Sequence, residues 1–186
     1  MVRILVLLLL LPAFANAECT SLIEFEIEDQ FKDKHTQQEI LGQTTILIWA
    51  DRDGSEYLEL WDEALDEAFG EHGDGDGDDG EHGVARRGVA HVKGVPRWIP
   101  GLKGKIRGHF SRDKSEWTLM DWKGHFAKAY PLQEEQPNLL VFDAGGCLQG
   151  QIAGKVPDAE LIEAVRAAVM RANSATGNDR AGGGPD

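Results

Sequence analysis

The sequence predicts an α/β fold, a central mixed sheet flanked by helices, and three observations carry that prediction. Thr45–Phe69 starts with the continuous apolar run Ile46, Leu47, Ile48 and Trp49, short and β-branched enough for a buried central strand. A helical period follows almost at once, with Leu58, Trp61, Leu65 and Phe69 on one face and Glu59, Asp62, Glu63, Asp66 and Glu67 on the other. Near the far end, Gln136–Asp143 reads as a second apolar strand, Gly145-Gly146 as a hairpin turn into Cys147–Ala153, and Asp158 as the cap of a terminal amphipathic helix through Leu161, Ile162, Val165, Ala168 and Val169.

The remaining elements fall in order between and around these. Arg3, the apolar run Ile4–Leu11 and the small-residue pattern Ala15-Asn16-Ala17 form a secretory signal peptide, so residues 1–17 are expected to be removed and the chain exported to a periplasmic or extracellular space. The run is too short to span a bilayer, and no later segment reaches the ~20 apolar residues a membrane helix needs. Residues 18–171 then form one domain. Ile23, Phe25 and Ile27 alternate with Glu24, Glu26 and Glu28 as in a half-buried strand, Asp29-Gln30 turns, and Thr36 with Glu39 makes a capping box for a short helical turn. Asp53 and Glu56 stand in the same D-x-x-E relation, which places the start of the helix after the central strand near Asp53. Residues 70–83, GEHGDGDGDDGEHG, cannot bury apolar surface and form an acidic flexible loop insertion. Val84–Val95 is the next strand, and Pro96–Phe110 a turn with a short irregular helix. Trp117–Trp122 is a strand, and Gly124–Tyr130 a short helix closed by Pro131. From Ala172 onward, NSATGNDRAGGGPD reads as a disordered tail over 172–186.

The junction Ile48-Trp49-Ala50-Asp51-Arg52-Asp53-Gly54-Ser55-Glu56 resembles the active-site turn of the thioredoxin-like superfamily, in particular its redoxin branch of peroxiredoxins and thiol–disulfide oxidoreductases, whose strand ends in F-W-A-x-W-C-x-x-C. The lead-in F-E-I-E-D-Q is similar to that branch's amino-terminal hairpin, and Gln136-Pro137-Asn138-Leu139-Leu140-Val141-Phe142-Asp143 to its cis-proline strand. The resemblance covers most of Phe25–Met170. It implies a thioredoxin-like sheet in which Asp53 and Glu56 occupy the places of the two cysteines, with Pro137 preceded by a cis bond. A helix N-terminus lowers the pKa of a cysteine there. A carboxylate enjoys the same field but forms no disulfide, so the resemblance supports the fold and argues against the family's usual chemistry.

Two cysteines, Cys19 and Cys147, allow at most one bridge, and their spacing matches neither a C-x-x-C motif nor a zinc site. Cys147, after the hairpin turn, is either a small half-buried residue or an alternative thiol, and Cys19 reads as mobile. His91, His109 and His125 lie near element ends with no nucleophile at a readable spacing. Asp74, Asp76 and Asp78 reproduce the D-x-D-x-D opening of a calcium loop, but Asp79 stands where glycine is required and Ala85 where the twelfth-position glutamate belongs.

The net charge of −13 argues against nucleic acid or an anionic membrane surface as partner. It is unevenly spread. Residues 84–128 hold eleven Lys and Arg against three Asp and Glu, whereas Asp51–Glu81 holds fourteen acids and one arginine. Either the two regions face each other within the fold, or Arg86, Arg87, Arg97, Lys103, Lys105 and Arg107 form a surface for an acidic protein partner. Three functions follow: a thioredoxin-like binding or scaffolding module of the cell envelope without thiol chemistry, an oxidoreductase using Cys147 or a non-thiol mechanism, and an exported calcium-responsive protein. The first is the expectation, with no cofactor.

Overall fold

A computed structural model describes residues 19–70, 84–92, 94, 100–114 and 116–181, with side chains to 175. The signal peptide, the acidic loop with Asp74, Asp76 and Asp78, and Arg97 therefore lie outside the described residues.

Among the described residues, seven strands and four α-helices follow one another as β1 (Glu26–Glu28), β2 (Lys34–Thr36), β3 (Thr45–Ala50), α1 (Leu58–Phe69), β4 (Ala85–His91), α2 (Leu102–Arg107), β5 (Thr118–Asp121), α3 (His125–Ala129), β6 (Asn138–Phe142), β7 (Leu148–Ala153) and α4 (Ala159–Ala181). The main sheet has the order β5-β4-β3-β6-β7. β4 runs parallel to β3 and to β5, while β6 is antiparallel to β3 and β7 to β6. All six residues of β3 are buried, as a strand covered on both faces and both edges requires.

The two-residue alternation of the strands divides the core into two layers. Leu47 and Trp49 of β3, Val89 of β4, Leu119 of β5 and Leu140 and Phe142 of β6 face Phe25, Ile27, Ile40, Phe126 and Tyr130. Ile46, Ile48, Leu139, Val141 and Ile152 face Trp61 and Leu65 of α1 and Val165, Ala168, Val169 and Ala172 of α4. The amphipathic faces read for both helices are thus the ones that close the second layer.

Three differences from the sequence reading have physical causes. β2, of sequence KHT, carries no apolar signal. It is held by His35, whose ring sits between Asp29 Oδ2 at 3.0 Å and Glu39 Oε2 at 2.7 Å and stacks on Trp117 at 4.0 Å. Glu39 also accepts the Thr36 N–H at 3.0 Å, the capping contact expected there. Residues 172–181 continue α4 rather than opening a disordered tail. Ala172 is fully buried and Asn173 accepts a 2.6 Å bond from Thr44 Oγ1, so tertiary packing carries the helix onward through a polar composition. Finally, Cys19 is not mobile, because it is disulfide-bonded to Cys147 with the Cα atoms 5.5 Å apart.

Candidate functional site: the strand-to-helix turn

The carboxyl end of β3 runs through Asp51, Arg52 and Asp53 into a 3-10 turn, Gly54–Tyr57, and then α1. Asp53 and Glu56 are both exposed on this turn, and Asp53 makes no side-chain cap hydrogen bond. The expected Asp53 cap is therefore corrected to Asp51. Its Oδ1 accepts the Gly54 N–H at 2.8 Å, its carbonyl accepts the Ser55 N–H at 2.9 Å, and its Oδ2 reaches across to the Glu135 N–H at 3.0 Å. One carboxylate thus ends the strand, starts the helical turn and ties both to the loop before β6.

That loop carries the other element read from the sequence. Among the described residues there is no cis peptide bond, so the bond before Pro137 is trans, contrary to the expectation. Two other features shape this loop. Glu135 takes a left-handed φ of 63°, and the buried Asn138 side chain binds the loop from within. Its Nδ2 donates to the Gln133 and Gln136 carbonyls at 2.7 and 2.9 Å, and its Oδ1 accepts the Gln133 N–H at 2.8 Å. The result is a close approach of two backbones: a Cβ on the buried Gly54 would lie 2.8 Å from the Gln136 backbone. Pro137 is buried here, its carbonyl accepting the Gly154 N–H at 3.2 Å.

The structure therefore brings Asp53, Glu56 and Pro137 to one end of the sheet and leaves Cys147 at the other. Cys147 follows β6, whose Phe142 pairs with Thr45 at the start of β3. The six residues of β3 separate the two ends by roughly 16 Å at ~3.3 Å per residue. The alternative thiol is not free either, being bonded to Cys19.

Two further polar groups reach the turn's end of the sheet. Trp49 Nε1 and His91 Nδ1 are buried without a hydrogen-bond partner among the described residues, and their rings lie 5.0 Å apart at the carboxyl ends of β3 and β4. Sequence reasoning missed this pair, since it depends on the β3–β4 register, and it missed Asp51 and Asn138. Asp51 was discoverable as the residue three before Gly54, the spacing from an N-cap to the N–H it accepts. The more conspicuous D-x-x-E pattern at Asp53 masked it.

Among the described residues, the two charged regions meet at Arg86. Arg86, with its side chain 6% exposed, binds Asp66 Oδ1 at 2.6 Å and the Gly70 carbonyl at 3.0 Å, and Arg107 pairs with Glu28 at 2.5 Å. Arg87 lies over Trp117, 4.9 Å from the ring centre. Arg86 and Arg107 therefore serve the fold, whereas Lys103 and Lys105 on α2 remain exposed, Lys103 4.9 Å over the Trp122 ring. Among the described residues no group of three or more His, Cys, Asp or Glu is placed to hold a metal ion, and no helix is long and apolar enough to cross a membrane.

Parallel strands β5-β4-β3, antiparallel β6-β7, helices on both faces and a strand-to-helix turn set against a proline loop define an α/β protein of one recognisable class. Solved structures identify it as the thioredoxin-like fold. The exposed lipoprotein thioredoxin Etrx1 of Streptococcus pneumoniae matches with a TM-score of 0.54 at 16% identity, over 80% of this chain and 99% of that one. A putative thioredoxin from Neisseria meningitidis matches at 0.54 and 13%, over 88% and 97%. A putative thiol:disulfide interchange protein DsbE from Chlorobium tepidum matches at 0.51 and 13%, over 85% and 99%. No protein-family model and no curated protein matches the chain. At these identities the likeness establishes the fold, and the chemistry has to be argued from the residues.

Proposed function

We propose that the chain is an exported thioredoxin-like binding or scaffolding module of the cell envelope whose strand-to-helix turn does no thiol chemistry. The observation that supports this most strongly is the separation of parts. The turn presents the exposed carboxylates of Asp53 and Glu56, while both cysteines are joined to each other at the opposite end of β3. Disulfide exchange requires a thiolate that attacks sulfur and a second that resolves the mixed species, and a carboxylate does neither. Export rests on the signal-peptide pattern of residues 1–17.

The recognition surface we infer lies at the turn's end of the sheet and extends over the basic segment 84–128. Exposed Lys103, Lys105, Lys123 and Lys128 favour an acidic protein segment. The test is titration of the 15N-labelled protein with a glutamate-rich peptide and its glutamine counterpart. The expected result is saturable binding of the acidic peptide only, weakened by salt and by the double substitution Lys103→Glu, Lys105→Glu. Equal behaviour of the two peptides contradicts this assignment.

A second reading is favoured by one specific observation, the proximity of Cys19 and Cys147: a thiol–disulfide oxidoreductase using that pair. It predicts catalytic turnover that disappears when both are replaced by serine.

A further inference from the structure

The disulfide fastens a short amino-terminal strap to a hairpin that is already held by other means. On the hairpin side, Asp143 is buried, its Oδ1 accepting the N–H groups of Gly145 and Cys147 at 3.0 and 2.9 Å and its Oδ2 the side-chain amide of Gln149 at 2.7 Å. Gly146 takes a φ of 82°, and the Gly42 N–H binds the Ala144 carbonyl at 2.9 Å. These contacts owe nothing to Cys19.

The strap is held more thinly. Ser21 forms an isolated antiparallel bridge with Cys147. Leu22 N–H donates to the Gly146 carbonyl at 2.7 Å and Leu148 N–H to the Thr20 carbonyl at 2.9 Å. The buried Tyr130 hydroxyl donates to the Ser21 carbonyl and accepts the Ile23 N–H, both at 3.0 Å. Cys19, Thr20 and Ser21 are exposed. Leu22 and Ile23 are partly buried against the core layer of Phe25 and Phe142, and an open polar groove lined by Ser21, Glu24, Gln37 and Gln38 runs beside the strap.

We propose that the Cys19–Cys147 disulfide is a site of thiol–disulfide exchange with an external dithiol protein of the C-x-x-C class, and that its reduction releases the strap while the sheet stays folded. Cys19 is the exposed residue of the pair, and Cys147 is half-buried. A partner thiolate attacks Cys19 Sγ, the Sγ–Sγ bond breaks, and Cys147 departs as a thiolate that takes a proton from solvent. The partner's second thiol, deprotonated, attacks the mixed disulfide, which closes the partner's own disulfide and returns Cys19 as a thiol after it takes up a proton. Two electrons and two protons pass in all from the partner to this chain. Here the chain is the substrate of the exchange and not its catalyst, so the inference stands apart from the binding function proposed above.

The experiment uses the full oxidised protein, a reduced thioredoxin-type dithiol, and a form of that dithiol whose resolving cysteine is serine. We expect complete reduction without denaturant, read by thiol alkylation and mass, and a trapped mixed disulfide mapping to Cys19. Hydrogen exchange at the amides of Leu22, Ile23 and Leu148 should quicken by at least about tenfold, with β3 unchanged. The Cys19→Ser variant should show the same quickening with no reductant present. Reduction that occurs only on global unfolding, or strap amides equally protected in the oxidised, reduced and Cys19→Ser proteins, overturns the proposal.

Discussion

The two ends of β3 are built on opposite principles. At its carboxyl end a non-covalent knot, Asp51 with Gly54 and Glu135, joins the strand-to-helix turn to the proline loop through two side-chain hydrogen bonds. At its amino end a covalent bond across 128 residues of sequence joins the strap to the hairpin. In a thioredoxin-like fold the turn is the place where a helix terminus favours a thiolate, yet this chain keeps its sulfur at the other end. At the turn this chain places the carboxylates of Asp51, Asp53 and Glu56.

The largest effect that sharpens this comparison is expected at the covalent end. A cross-link spanning that separation mainly restricts the unfolded chain, so Cys19→Ser with Cys147→Ser should cost about 2–5 kcal/mol in urea unfolding, with the far-UV spectrum retained. At the other end, Asp51→Ala strands the Gly54 and Glu135 N–H groups and should cost about 2–3 kcal/mol in the same measurement. Asp53→Ala, which removes no cap bond, should stay within about 0.5 kcal/mol of the wild type. A reversal of those two values would return the cap to Asp53 and break the contrast. Gly54→Ala should cost about 1–3 kcal/mol, because its Cβ would sit 2.8 Å from a backbone that cannot swing aside. A melt that is unchanged would mean the proline loop is free to withdraw from the turn.

What the sequence made legible, and what it hid, follows the same division. β1, β3 and the helical faces of α1 and α4 were readable because apolar runs and periodicity record burial directly, β4 was readable from its β-branched content, and β7 from the Gly145-Gly146 turn that precedes it. β2 was hidden because its place is fixed by Asp29, His35, Glu39 and Trp117, contacts spread over 88 positions of the chain. The end of α4 was hidden because Ala172 and Asn173 are ordered by what they pack against, not by composition. At the site, the identity of the turn was legible and its chemistry was not. Asp53 and Glu56 matched a local pattern, whereas Asp51 acts through Glu135, 84 residues away. The trans bond before Pro137 has the same origin, since Asn138 and the left-handed Glu135 shape that loop in three dimensions.

The central claim, that the turn has parted from thiol chemistry, is tested most directly by insulin-disulfide reduction with a thiol donor. The wild type, the Cys19→Ser, Cys147→Ser double variant and an Asp53→Cys, Glu56→Cys variant should be measured side by side. The account predicts no turnover above the uncatalysed rate for the first two, and turnover appearing only where cysteines are placed at the helix terminus. Turnover by the wild type that vanishes in the double serine variant would contradict it and make the Cys19–Cys147 pair the catalytic centre.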